Sequence, residues 1–258
     1  MLKRIVSSIL LLPLLFFIVI KGGFFLNTSI LIISLLAIYE LYEAFKHAKL
    51  RPIKSVGYIA TLVFYMAVQF GTSWSYVGMI AFMLFFIFAS MVVLGKRQFM
   101  DMLVTIFGII YISYALLHIG MARSEFASHM VWIIFITAWA TDTCAYFAGC
   151  FFGKHKLIPS VSPKKTIEGS VGGIAGSVLS CMVFGFIFEM SLIHMAVIGF
   201  TGSIVSQMGD LFASSIKRYI GIKDYGNVIP GHGGMLDRFD SIIFSAPLVY
   251  YYISIFMR

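Results

Sequence analysis

Runs of apolar residues about as long as a bilayer is thick recur along almost the whole chain, and they leave few options for its fold. A helix needs about 20 mainly apolar residues to cross the hydrocarbon core, where no water is present to satisfy the backbone. Runs of this kind fall at 5–20, 24–45, 56–72, 75–94, 102–121, 129–149, 169–188, 192–216 and 241–257, the third being the weakest. The expectation is an all-α, polytopic membrane protein of about nine transmembrane helices. Composition agrees: 60% of the residues are hydrophobic and 12% charged, against about 25% charged in soluble domains. No internal repeat, low-complexity tract or long linker interrupts the sequence, so a single integral-membrane domain over residues 1–258 is predicted. The first run follows Lys3 and Arg4 as a secretory signal would, but Lys21-Gly22-Gly23 stands where a cleavage site would be, and a retained first span is expected.

The cations sort by side. With the N-terminus placed in the cytoplasm and the spans alternating, the inner segments hold Lys3, Arg4, Lys46, Lys49, Arg51, Lys54, Lys96, Arg97, Lys154, Lys156, Lys164, Lys165, Lys217, Arg218, Lys223 and Arg238. Those are sixteen of the nineteen lysines and arginines, leaving Lys21, Arg123 and Arg258 outside. The formal charge of +8 is therefore a topological signal and an attraction to anionic lipid, and it excludes a nucleic-acid footprint. Cys144, Cys150 and Cys181 all lie in apolar runs without a C-x-x-C pair, which predicts buried thiols and no disulfide or zinc site.

Residues 214–240 break the apolar pattern. They contain Lys217, Arg218, Lys223, Asp224, His232, Asp237, Arg238 and Asp240, interleaved with Gly221, Gly226, Gly231, Gly233 and Gly234. Cations suit phosphates, carboxylates suit a hard divalent cation, and glycine lets the main chain approach a ligand. At helical spacing Ser203, Gln207, Asp210, Ser214 and Lys217 form one polar stripe leading into this segment. Asp237 and Asp240 stand one helical turn apart and, with Asp210, are candidate ligands for Mg²⁺. Asp142, with Tyr146 one turn on, is an ionisable residue in an apolar span, a costly placement that marks function or pairing. The loop from Ser160 to Gly169 presents Lys164 and Lys165 on the same side. Gly172 and Gly176 form a G-x-x-x-G pair for close helix packing, within the monomer or in a homodimer.

Taken together, these residues resemble the membrane-integral phosphatidate cytidylyltransferases. The family's C-terminal pattern is met without departure by Ser214, Ile216, Lys217, Arg218, Lys223, Asp224, Gly226, Ile229, Pro230, His232, Gly233, Gly234, Met235, Asp237, Arg238, Phe239 and Asp240. The S-P-K-K-T-x-E-G loop (Ser162 to Gly169) and the D-x-x-A-Y of the sixth run (Asp142, Ala145, Tyr146) also look like the family. The resemblance covers the C-terminal half and implies a catalytic site drawn mainly from residues 130–245. It implies that CTP and phosphatidate give CDP-diacylglycerol and pyrophosphate with Mg²⁺, a second cation being left open. Asp210, Asp237 and Asp240 would hold metal. Lys217, Arg218, Lys223 and Arg238 would grip phosphates, as would Lys164 and Lys165, and Asp224 belongs to the same catalytic pattern. His232, Gly233 and Gly234 would shape the nucleotide loop; Ser203, Gln207 and Ser214 would line the headgroup's route, with Asp142 as support. The expected setting is a bacterial inner membrane with the active site at the cytoplasmic face. A cytidylyltransferase for another lipid phosphate is the nearest alternative, and an ion-coupled secondary transporter the alternative of another class. The D-G-x-x-A-R motif of the CDP-alcohol phosphotransferases is absent.

Overall fold

The computed structural model describes residues 13–71, 78, 82, 85–86, 89–95, 98–228 and 233–257. After a helical stretch at 13–21 come α1 (Gly23–Phe45, prolonged by a tighter turn Lys46–Ala48), α2 (Lys54–Gln69) and α3 (Phe99–Gly108). A π-helical turn, Ile109–Tyr114, joins α3 to α4 (Ala115–Glu125). Then follow α5 (Val131–Phe152), the strands β1 (Lys156–Ile158) and β2 (Ser162–Thr166), α6 (Ile167–Ile187), α7 (Leu192–Ile220) and α8 (Leu236–Phe256).

Among the described residues six helical stretches are long and apolar enough to cross a bilayer: Gly23–Ala48, Phe99–Glu125, Val131–Phe152, Ile167–Ile187, Leu192–Ile220 and Leu236–Phe256. Exposed side chains such as Phe151, Val171, Leu179, Val183 and Phe186 give these helices an apolar outer surface that lipid, and not water, would solvate. The chain is an integral membrane protein. Six is fewer than the nine expected. The third run folds as α2, whose 16 residues fall short of a bilayer crossing. The first and the fourth runs each lie in part outside the described residues.

The fold is all-α but for the loop around Lys164, an antiparallel hairpin that pairs Lys156 with Thr166 and Ile158 with Ser162 across an irregularity in register. Pro163, which has no N–H to give, is tolerated because a two-stranded ribbon is all edge. The hairpin runs straight into α6, where Thr166 caps the helix by accepting the Gly169 N–H at 3.1 Å.

Two compact units result, Met1–Ser128 with Ile220–Arg238, and His129–Tyr219 with Phe239–Arg258. In the first, the buried Tyr42 donates its hydroxyl proton to the Thr105 carbonyl at 2.7 Å and lies against Gly57 and Gly108. Polar pairs join its helices: Thr61 with Ser113 at 2.6 Å, and the Asn27 amide donating to Gln69 at 3.0 Å. In the second, small residues form the seam between α5 and α6. Side chains added at Gly172 and Gly176 would collide with Ala148 and Cys144, so the G-x-x-x-G pair serves packing within the chain. All three cysteines are free; Cys181 is buried and Cys144 half-buried, but Cys150 is exposed, against the expectation of burial.

Candidate active site

The second unit gathers most of the expected carboxylates and three of the four expected lysines, Lys164, Lys165 and Lys217. Gly209 lets α7 and α8 touch, since a Cβ there would stand 2.6 Å from the Asp240 carbonyl oxygen. The close crossing sets Asp210 beside Asp240. Asp210 Oδ2 is ion-paired with Lys165 Nζ at 2.6 Å, and its Oδ1 accepts the Ser214 hydroxyl at 3.3 Å. Asp240 accepts the Ser241 N–H at 2.8 Å and lies within electrostatic reach of Asp210, Lys217 and Asp142. Asp142 Oδ2 in turn accepts the Ser241 hydroxyl at 3.4 Å. Lys217 is buried, which for an ammonium group requires nearby negative charge.

The hairpin and the end of α7 contribute the remaining cations. Arg218, exposed on α7, donates from Nε to the Val161 carbonyl at 3.3 Å, fastening the hairpin to the helix that carries Asp210. Lys164 is exposed on β2 and Lys165 is half-buried against Asp210. At the base of the hairpin Glu168 accepts the N–H groups of Lys154 and His155 and pairs with His155 Nδ1 at 2.7 Å. The upper part of the polar stripe is occupied otherwise. Ser203 accepts from Thr141 at 2.8 Å and from Gln207 at 3.4 Å, and Gln207 also donates to the Ser170 carbonyl at 3.3 Å. These two residues thus tie α7 to α5 and α6.

The first unit holds the rest of the glycine-rich segment. Gly233 takes a positive φ of 89°, turning the chain sharply into α8. Asp237 is buried, and its Oδ2 accepts two main-chain N–H groups, from Tyr225 at 2.9 Å and Gly234 at 3.0 Å. Lys223, Asp224 and Arg238 are exposed, and His232 lies outside the described residues. Sequence reasoning missed Glu40. This buried residue of α1 accepts the N–H groups of Met235 and Leu236, each at 2.9 Å. The available signal was a carboxylate inside an apolar span, the same that singled out Asp142.

Among the described residues no group of three or more His, Cys, Asp or Glu side chains could hold a metal ion by itself. Asp210 and Asp240 do suit Mg²⁺, which is usually held by one or two carboxylates together with the substrate's phosphates. Chemically, the second unit offers a carboxylate pair for a hard cation, rimmed by lysines and an arginine for anionic oxygens.

A model of the cytidylyltransferase family matches residues 2–256. Among curated proteins, the chain is 35% identical over 256 residues to a phosphatidate cytidylyltransferase of Staphylococcus epidermidis, covering 96% of this chain and 95% of the relative. It is similar to the phosphatidate cytidylyltransferase of Staphylococcus saprophyticus at 36% identity over 256 residues, with the same coverage. The protein of that name from Staphylococcus aureus strain COL is 34% identical over 254 residues, again across 96% of this chain and 95% of the relative.

Proposed function

Because the chain belongs to the cytidylyltransferase family, we infer that it transfers CMP from CTP to phosphatidate, releasing pyrophosphate and leaving CDP-diacylglycerol in the bilayer. It is a CTP-dependent nucleotidyltransferase of phospholipid synthesis. The observation that carries the assignment of its site is the carboxylate pair Asp210 and Asp240, set side by side at the close crossing of α7 and α8 with Lys165 against it.

A phosphate oxygen of the lipid attacks the α-phosphorus of CTP, the bond to the β-phosphate oxygen breaks, and pyrophosphate leaves with the electron pair. The attacking phosphomonoester has a second pKa of about 6, so it is already largely dianionic near neutral pH and needs no strong base. Holding two polyanions together is the main task, and positioned positive charge performs it. Lys165 can exchange its carboxylate partner for a phosphate oxygen, while Lys217 is fixed by burial. Lys164 and Arg218, on the exposed rim, meet the triphosphate first. Mg²⁺ bound by Asp210 and Asp240 would offset charge on the bridging phosphates. Asp142 supports Asp240 through Ser241. Asp237, expected among the metal ligands, accepts the main-chain N–H groups of Tyr225 and Gly234 on Oδ2 and so joins these two points of the main chain. Lys223, Asp224 and Arg238 remain solvent-facing partners for CTP.

The positive-inside distribution supports a cytoplasmic N-terminus with the site at the cytoplasmic face, and a bacterial inner membrane is the setting proposed for it. The assignment is tested by adding phosphatidate to purified protein with CTP and Mg²⁺ in mixed micelles. Pyrophosphate release that needs phosphatidate, and is not supported by an isoprenoid phosphate, is expected. Release with the isoprenoid phosphate alone would transfer the reading to another lipid.

A further inference from the structure

We propose that Glu40, on the first long helix of the chain, is a positioning residue for the main chain at Gly226 and at Gly234–Leu236, and so sets how well the neighbouring Lys223, Asp224 and Arg238 receive CTP; this rests on the reading above. Three successive main-chain N–H groups, of Gly234, Met235 and Leu236, stand where α8 begins, and such groups have no intrahelical partners. Two carboxylates from different parts of the sequence take them up. Asp237 takes Gly234, together with Tyr225 from the far side of the loop. Glu40 takes Met235 and Leu236, one on each oxygen, at 2.9 Å. A helix cap usually comes from the residue just before the helix; here it comes from a helix nearly two hundred residues away.

The fit around Glu40 is tight. A Cβ at Gly226 would lie 2.5 Å from Glu40 Oε1, and one at Gly234 would lie 2.5 Å from Oε2. These two glycines therefore hold the main chain closed over a carboxylate that is itself buried. A buried carboxylate needs such hydrogen bonds to be tolerated at all. The dependence is mutual: the N–H groups of Met235 and Leu236 satisfy Glu40, and Glu40 fixes the main chain where it passes at Gly226 and Gly234. Glutamine at this position keeps the size but turns one acceptor oxygen into an NH₂ group, which faces an N–H donor and cannot accept from it.

The test uses the full-length protein in detergent, with the wild type first required to release pyrophosphate from CTP in the presence of phosphatidate; failure there would remove the catalytic reading while leaving the packing claim open to the thermal measurement. In Glu40→Gln, scaled to folded protein, the KM for CTP should rise about tenfold or more while the KM for phosphatidate stays within about twofold. Gly226→Ala should lower the unfolding temperature in the wild-type background, and much less so in Glu40→Ala, where the colliding carboxyl is gone. Additive thermal effects would overturn the contact. Equal KM values for CTP in the wild type and Glu40→Gln, or tighter CTP binding in the variant, would overturn the positioning role.

Discussion

Replacing Gly209 with alanine adds a single methyl group at the crossing of α7 and α8. Its carbon would stand 2.6 Å from the Asp240 carbonyl oxygen and 3.1 Å from Phe244 Cβ. A carbon and a carbonyl oxygen come no closer than about 3.3 Å, so the helices must part locally by ~0.7 Å. Main chain cannot swing aside as a side-chain tip can. Overpacking of this kind costs about 1–3 kcal/mol, and alanine's helix preference over glycine returns roughly 1 kcal/mol, leaving a folded protein. Catalysis has less tolerance. A displacement near 1 Å of reacting groups can cost about 100-fold, so Gly209→Ala should lower kcat by about 10- to 100-fold. Gly202→Ala on the same helix is the control, because the nearest atoms its methyl meets belong to the Thr137 side chain, at 3.0 Å and beyond, and not to main chain. Label transfer from α-³²P CTP into the lipid phase, scaled to protein that elutes as a folded species, is the assay. Wild-type turnover in Gly209→Ala, or an equal fall in Gly202→Ala, would refute the idea that this crossing spaces the two carboxylates.

Three further outcomes are expected. Lys165→Ala removes the cation that competes for Asp210 and should tighten Mn²⁺ binding in electron paramagnetic resonance titrations while slowing CTP turnover; weaker Mn²⁺ binding would contradict the site. Gly176→Leu overfills the α5–α6 seam at Cys144 and should lower thermal stability by about 1–3 kcal/mol or prevent folding, whereas an unchanged melting profile would show that the seam opens easily. A membrane-impermeant maleimide should label the exposed Cys150 from the cytoplasmic face, in inside-out vesicles, and a cysteine at Arg123 from the opposite face; labelling of both from one side would break the topology.

Much of the second unit was legible in the sequence because its chemistry is local. The stripe from Ser203 to Ser214 follows from helical spacing, and Asp210 and Ser214 do face one another. The apolar runs gave the helices, but charge blurred their ends: α7 continues to Ile220 and α8 starts at Leu236, since helix termini tolerate Lys217, Arg218 and Asp237. What stayed hidden depends on partners distant in sequence. The Lys165–Asp210 pair requires a hairpin that residues 156–166, with a proline in the second strand, do not announce. Glu40 reads as one charge in an apolar run until its glycine partners are seen folded over it. Ser203 and Gln207, expected along the headgroup's route, hydrogen-bond to neighbouring helices, because periodicity identifies a polar face and not what the face meets.

In the proposed mechanism the Asp210–Asp240 pair holds the cation that lets two phosphorylated substrates react. Its most direct test is the transfer of α-³²P label from CTP to chloroform-extractable lipid by Asp210→Asn and Asp240→Asn, each beside wild type across a Mg²⁺ titration. Both variants should remain folded and lose transfer by at least about 100-fold, with no recovery at high Mg²⁺. Transfer within a few-fold of wild type in either variant, at the same Mg²⁺ midpoint, would contradict the account.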